Sequence, residues 1–207
     1  MTEKHIHILD KAEQLFALNG YDGTTVREIA RNAGVNLAMI SYYFGSKEKL
    51  IEMLFTQRMG SIKLRIEAVV NNPGIGAFAK IEILIDQYIS RVFEKQAFYK
   101  VLLTEQIFNK NIVILKSIRK YKLEFINLIE EVILEGKNLK LFKKDIDTML
   151  LLTTMTGSVM QMLINKDYYK EHNKLGKIKN AEYEEILKKT LSIHIKELFK
   201  TTLGYEL

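Results

Sequence analysis

The chain is 207 residues long, 47% hydrophobic and 27% charged, which suits one large or two small globular domains and excludes a disordered chain. It has no cysteine, so disulfides, thiolate metal sites, Fe–S clusters and cysteine nucleophiles are ruled out. The net charge is +6, but Lys4, Lys11, Arg27, Arg31, Lys47, Lys49 and Arg58 are balanced within residues 1–60 by Glu3, Asp10, Glu13, Asp22, Glu28, Glu48 and Glu52. The surplus therefore lies in residues 61–207, and global basicity is a weak argument for nucleic acid.

Apolar residues recur at three and four, the helical period, and proline occurs once, at Pro73. A first helix is predicted from about Lys4 to Asn19, with Ile8, Leu9, Ala12, Leu15 and Phe16 on one stripe and Gly20 as a left-handed stop. Thr25-Val26-Arg27-Glu28 reads as a capping box: the Thr25 hydroxyl accepts from the Glu28 amide and the Glu28 carboxylate reaches back. That second helix is short, since Gly34 follows within nine residues. Asn36 can cap a third helix over Leu37–Phe44, and Gly45-Ser46 breaks and recaps before a longer fourth helix from Lys47.

Asn71-Asn72-Pro73-Gly74 is the strongest breaker. Beyond it, helices are expected at about 75–95, 98–108, 111–135, 146–165 and 181–202, making about nine in all. Gly136 falls where the residue ending a helix belongs. Gly157 lies mid-helix among small residues, where it costs ~1 kcal/mol relative to Ala unless close helix packing compensates. The longest apolar run, Met149 to Ile164, is broken by Thr153, Thr154, Thr156, Ser158 and Gln161 and falls short of the ~20 residues that span a bilayer. The N-terminal residues lack the apolar region of a signal peptide. No membrane partner and a cytoplasmic location are the expectations.

The short helices at about 25–44, joined through Ala33-Gly34-Val35-Asn36, match a helix-turn-helix. Ala30 must be small where the third helix crosses it, Gly34 takes the positive-φ turn, and Ile29, Val35 and Ile40 form the wedge that sets the interhelical angle. Met39, Ile40 and Phe44 then face inward, while Asn36, Leu37, Ala38, Ser41, Tyr42 and Tyr43 face out. Exposed phenols and hydroxyls suit a helix in a major groove, where they reach phosphates and small apolar groups touch thymine methyls. Helix N-termini at Thr25 and Lys47 would offer free amides to the DNA backbone.

The run GYDGTTVREIARNAGVNLAMISYYFGSKEKL, from Gly20 to Leu50, resembles the DNA-binding signature of TetR-family transcriptional repressors. Tyr21, Thr24-Thr25, Ile29-Ala30, Ala33-Gly34-Val35, Tyr42-Tyr43-Phe44, Lys47 and Leu50 carry the likeness; over the rest of the chain it is architectural only. The resemblance implies an all-α protein with a three-helix helix-turn-helix DNA-binding domain at 1–60. A larger ligand-binding and dimerisation domain would follow at 61–207. Thr25, Tyr42, Tyr43 and Lys47 would contact phosphates, with Thr24 and Arg27 as weaker contacts, and Asn36, Leu37, Ala38 and Ser41 would lie near base edges. The third helix has no Arg or Gln to engage a base bidentately, which favours a share of indirect readout.

Residues 75–207 carry no P-loop, no dinucleotide fingerprint and no H-E-x-x-H, and the histidines His5, His7, His172 and His194 are scattered. No catalytic residue, metal site or cofactor is expected. The last two helices are too apolar to be buried within one subunit, and packing on twofold mates would cover them. The resemblance implies a four-helix homodimer interface there, with Thr156, Gly157, Met160, Leu187, Leu191, His194, Ile195 and Leu198 as its residues, and hence a palindromic double-stranded operator. It also implies a chamber for a small effector, largely apolar in character. Tyr88, Phe93, Phe98, Tyr99, Leu102, Gln106, Tyr121, Phe125, Met149 and Thr153 could line it, or could simply be core. A reading from another class keeps the helix-turn-helix scaffold as a protein-interaction module without operator binding; salt-dependent binding to DNA separates the two.

Overall fold

A computed structural model describes residues 1–108 and 112–206. Among them are ten helices and no strand: α1 (Glu3–Asn19), α2 (Val26–Asn32), α3 (Leu37–Phe44), α4 (Lys47–Val70), α5 (Ala77–Glu94), α6 (Gln96–Phe108), α7 (Ile112–Asn138), α8 (Thr148–Ile164), α9 (Lys166–His172) and α10 (Asn180–Leu203). The all-α expectation holds. The expected start of the seventh helix at 111 lies outside the described residues. The chain forms two compact units, one of residues 1–64 with 95–123, the other of 65–94 with 124–207.

In the first unit, α1 packs on α2 and α6, and α2 packs on α3. Ile8, Leu9, Ala12 and Phe16 of α1 are buried with Ile29 and Ala30 of α2, Ile40 and Phe44 of α3, and Leu50, Ile51, Leu54 and Phe55 of α4. Phe98 of α6 completes this core, its ring centroid 5.4 Å from that of Phe55. Gly20 does take a positive φ, 74°, but with ψ 170° it leaves α1 in a conformation open essentially to glycine alone rather than the left-handed helical one expected.

In the second unit, α10 packs on α5 and α8. Ile81, Ile85 and Ile89 of α5 are buried together with Leu151, Met155 and Val159 of α8 and Leu187, Leu191, Ile195 and Phe199 of α10. Asp86 of α5 ties α10 down, accepting from Ser192 Oγ and Lys196 Nζ, each at 2.6 Å. One expectation fails here. Gly136 does not end its helix; it lies inside α7, buried, and a Cβ there would overlap the Phe142 ring. Its lack of a side chain serves ring packing, and Phe142 in turn sits edge-on to Phe78 and Tyr205, which stack at 4.2 Å. The helix beyond the expected nine is α9, which the sequence does not announce because none of its residues is buried and no apolar stripe marks it.

Candidate nucleic-acid interface

The interface begins with two caps. Thr25 Oγ1 accepts from the Glu28 amide at 3.2 Å while the Thr25 amide donates to Glu28 Oε2 at 2.7 Å, closing the capping box that starts α2. The Thr25 amide, together with the Thr25 hydroxyl that donates to Glu28 Oε2 at 2.9 Å, holds the Glu28 carboxyl below its ordinary range, the amide contributing most. Asn36 Oδ1 accepts from the Ala38 amide at 2.6 Å and starts α3. Between the caps, Gly34 adopts φ 63°, and the Val35 amide donates to Ala30 O at 3.0 Å. The turn is thereby fixed by backbone bonds, with Gly34 supplying the one φ that a side chain would strain.

Ile40 and Phe44 root α3 in the core, at 1% and 3% exposure, and the opposite face is left open. Asn36, Leu37, Ala38 and Ser41 are exposed, and Tyr42 stands open at 84%. Tyr43 is half-buried: its ring packs against His5 of α1 at 4.4 Å and against Tyr42 at 5.3 Å. His5 is itself held by Thr2, whose Oγ1 lies 2.7 Å from Nδ1. His7 Nε2 lies 3.2 Å from Ala33 O, so the start of α1 is pinned to the turn as well. These two histidine contacts join residues far apart in sequence, and no spacing rule signals them.

Thr25 and Arg27 are exposed near the start of α2, and Lys47 is half-buried at the start of α4. The Lys47 ammonium sits 4.1 Å from the centroid of the Tyr21 ring. Thr24 departs from its expected role. It is 1% exposed, and its hydroxyl faces Gly20 O at 2.8 Å and Leu15 O at 3.2 Å, so its donor is used within the fold and cannot reach a phosphate. Arg27, Arg31 and Lys47 outnumber the single acid Glu28 from Thr24 to Lys47, and Glu28 is occupied by its cap.

The residues expected to line an effector chamber fall in both units. Phe98 and Tyr99 are buried and Leu102, Gln106 and Tyr121 half-buried in the first. Phe93 is buried and Tyr88 and Phe125 half-buried in the second. Met149 and Thr153 are corrections: both are exposed on α8, and Thr153 spends its hydroxyl on Met149 O at 2.7 Å. A cleft of about 180 Å³ bounded by Asn19–Gly23 and by Thr104, Glu105 and Phe108 lies in the first unit. It is smaller than the ~300 Å³ typical of a ligand site. Among the described residues, no group of three His, Asp or Glu is placed to hold a metal ion, and no helix is long and apolar enough to cross a membrane.

The residues expected at a twofold interface divide in two. Gly157 and His194 are exposed and Thr156, Met160 and Leu198 half-buried. Leu187, Leu191 and Ile195 are 0%, 3% and 2% exposed, so they belong to the subunit's own core and not to an open face. The apolar stripe of α10 is real, but α5 and α8 already cover it.

Residues 8–54 match the model of bacterial regulatory proteins of the tetR family. Those residues form a DNA-binding domain of the TetR-family type. The match spans α1, α2, α3 and the first turns of α4, the elements that build the exposed face of α3. Among relatives of this chain, the fatty acid metabolism regulator protein of Bacillus subtilis is 26% identical over 75% of this chain and 79% of its own. The HTH-type transcriptional regulator AcrR of Shigella flexneri is 29% identical over 79% and 78%. The fold extends the likeness: the transcriptional regulator FadR of Bacillus subtilis, solved in complex with stearoyl-CoA, superposes with a TM-score of 0.71 at 22% identity, covering 93% of this chain and 96% of that one. These relatives are named regulators rather than enzymes.

Proposed function

We propose that the protein is a cytoplasmic homodimeric repressor that leaves a palindromic operator when it binds a ligand with a long apolar chain. The observation that carries the DNA half of this reading is the open face of α3, with Tyr42 at 84% exposure above the buried Ile40 and Phe44. Asn36, Leu37, Ala38 and Ser41 would meet base edges, and Thr25, Arg27, Tyr42, Tyr43 and Lys47 the phosphates. With no long base-reading side chain on α3, sequence preference would draw partly on DNA shape.

Dimerisation is supported by α8 and α10, which leave Met149, Leu150, Ile164 and Ile193 exposed at 63%, 65%, 61% and 56%. Burying such side chains against a twofold mate is favourable by ~25 cal/mol per Å² of apolar surface. A dimer would set two copies of α3 in successive major grooves, about 34 Å apart. The ligand class is supported by the Bacillus subtilis relative named for fatty acid metabolism and by the stearoyl-CoA in the related solved structure. A fatty acyl-CoA is therefore the proposed effector. α4 is one continuous helix from Lys47 to Val70, and a ligand that biases its course would alter how α3 is presented to DNA. A coupling of ~1–3 kcal/mol would lower occupancy from several-fold to about a hundred-fold.

The test is fluorescence anisotropy with a duplex that the protein selects from a random library, followed by titration with stearoyl-CoA. Salt-dependent binding that stearoyl-CoA reverses is the expected result. Absence of binding to every duplex at low salt sinks the repressor reading; binding that no acyl-CoA reverses sinks the effector assignment alone.

A further inference from the structure

Tyr21 lies in the turn between α1 and α2, yet it touches the start of α4 twice. Its ring faces the Lys47 ammonium at 4.1 Å, and its hydroxyl donates to Glu48 Oε1 at 3.1 Å. The ring is itself backed by the buried Phe16, with centroids 5.6 Å apart. Lys47 and Glu48 are the first two residues of α4, where the helix dipole disfavours a cation and favours an anion.

We propose that Tyr21 is a positioning residue for DNA binding, its ring holding the Lys47 ammonium ready for a phosphate. The inference rests on the reading of Lys47 as a phosphate contact. An aromatic face attracts an ammonium without neutralising it and leaves its N–H donors available for an incoming anion. Tyr21 thus offsets the unfavourable helix dipole at Lys47 and restricts the side chain before DNA arrives, which lowers the ordering cost of binding. The Glu48 carboxylate is held below its ordinary range by its own backbone amide, by Ser46 and by Tyr21, with a smaller contribution from the Lys47 charge.

A double-mutant cycle on the full chain tests this, using anisotropy with the duplex selected by the wild type across a salt series. Lys47→Gln should weaken binding and reduce the salt slope by about one per half-site. Tyr21→Leu should reproduce most of that several-fold loss, Tyr21→Phe should stay near wild type, and Tyr21→Leu should add nothing once Lys47 is Gln. If Tyr21→Leu weakens binding equally with and without Lys47, Tyr21 merely supports the fold and the proposal is overturned. It is overturned equally if Lys47→Gln weakens binding while Tyr21→Leu does not. If Lys47→Gln binds like wild type, or if the wild type selects no duplex, the parent reading fails and takes the inference with it. Proton NMR of the unmutated protein gives a readout independent of variant folding. The Lys47 ε-methylene protons should be shifted upfield by the Tyr21 ring, and ordinary lysine shifts would overturn the proposal.

Discussion

Arg58 of α4 donates its Nε–H to Glu13 Oε2 of α1 at 2.6 Å, and both side chains are buried. The guanidinium also bonds Gln57 Oε1 at 2.6 Å and the carboxylate of Asp10. Asp10 is half-exposed, so the two acids are unequal partners. Water can replace Asp10 but not Glu13. Glu13→Ala should therefore destabilise the first unit by about 3 kcal/mol, because it leaves a buried charge short of its partner. Asp10→Ala should cost less than ~1 kcal/mol. Urea unfolding measures both, and equal losses from the two variants would contradict this ranking.

The capping box of α2 makes stability depend on acid. The folded Glu28 carboxyl is held below its ordinary value of 4.5 by the Thr25 amide and hydroxyl. A carboxyl lowered on folding contributes stability that is complete above its unfolded pKa and is lost as pH falls through the folded one. The difference in melting temperature between wild type and Glu28→Gln should be constant above about pH 5 and should shrink as the pH is lowered toward 3. A difference that widens in acid would show that the cap does not bind Glu28 as a carboxylate.

The helix-turn-helix is legible in the sequence because its determinants are local. Thr25 and Glu28 are three residues apart, Asn36 lies two from the amide it caps, and Gly34 announces its own φ. What the sequence hides is non-local or ambiguous by nature. Arg58 meets Glu13 across 45 positions, and the start of α1 reaches Tyr43 and Ala33 with histidines that look scattered in sequence. The stripe Leu187, Leu191, Ile195 is plainly apolar, but periodicity cannot say whether a subunit's own helices or a partner's cover it. Thr24 shows the same limit on a smaller scale, since adjacent threonines look alike until one of them is buried.

The two helical glycines make opposite predictions. At Gly136 a Cβ would overlap the Phe142 ring, so Gly136→Ala should cost ~1–3 kcal/mol through forced movement of a packed aromatic. Gly157 is exposed on α8, and an added Cβ would meet nothing within 4 Å beyond its chain neighbours and the local helix backbone. Gly157→Ala should stabilise the isolated subunit by up to ~1 kcal/mol from helix propensity. If α8 also meets its twofold mate at Gly157, the same change should weaken the dimer. Analytical ultracentrifugation alongside thermal unfolding reads the two effects separately, and a Gly136→Ala variant as stable as wild type would refute the packing role.

The open apolar face of the second unit makes Ile193 the sharpest probe of dimerisation. It is 56% exposed on α10, between the buried Leu191 and Ile195. Ile193→Glu therefore leaves the subunit's core untouched while placing a charge on the proposed twofold surface, where desolvating it unpaired costs several kcal/mol. Expected outcomes are a monomer by light scattering, an unchanged melting transition at high dilution, and loss of operator binding. A variant that stays dimeric would move the interface elsewhere.

Tyr42 and Tyr43 are neighbours whose substitution should separate binding from folding. Tyr42 has 84% of its surface open, and Tyr43 is wedged between Tyr42 and His5. Removing only the Tyr42 hydroxyl, by Tyr42→Phe, should leave the melting temperature unchanged and weaken DNA binding several-fold, since one phosphate hydrogen bond per half-site is lost. Tyr43→Ala removes a phenol and three ring contacts together, with His5, Tyr42 and Phe44. It should cost ~0.5–1.5 kcal/mol of stability for each aromatic pair, as well as affinity. A His5→Ala variant removes the pairing with Tyr43 along with the His5–Phe44 and His5–Thr2 contacts, and should reproduce part of the stability loss while keeping the Tyr43 hydroxyl. If Tyr42→Phe binds like wild type at every salt concentration, the exposed phenol of α3 does not reach the DNA backbone, and the outward face of this helix must be read through its backbone and small side chains alone.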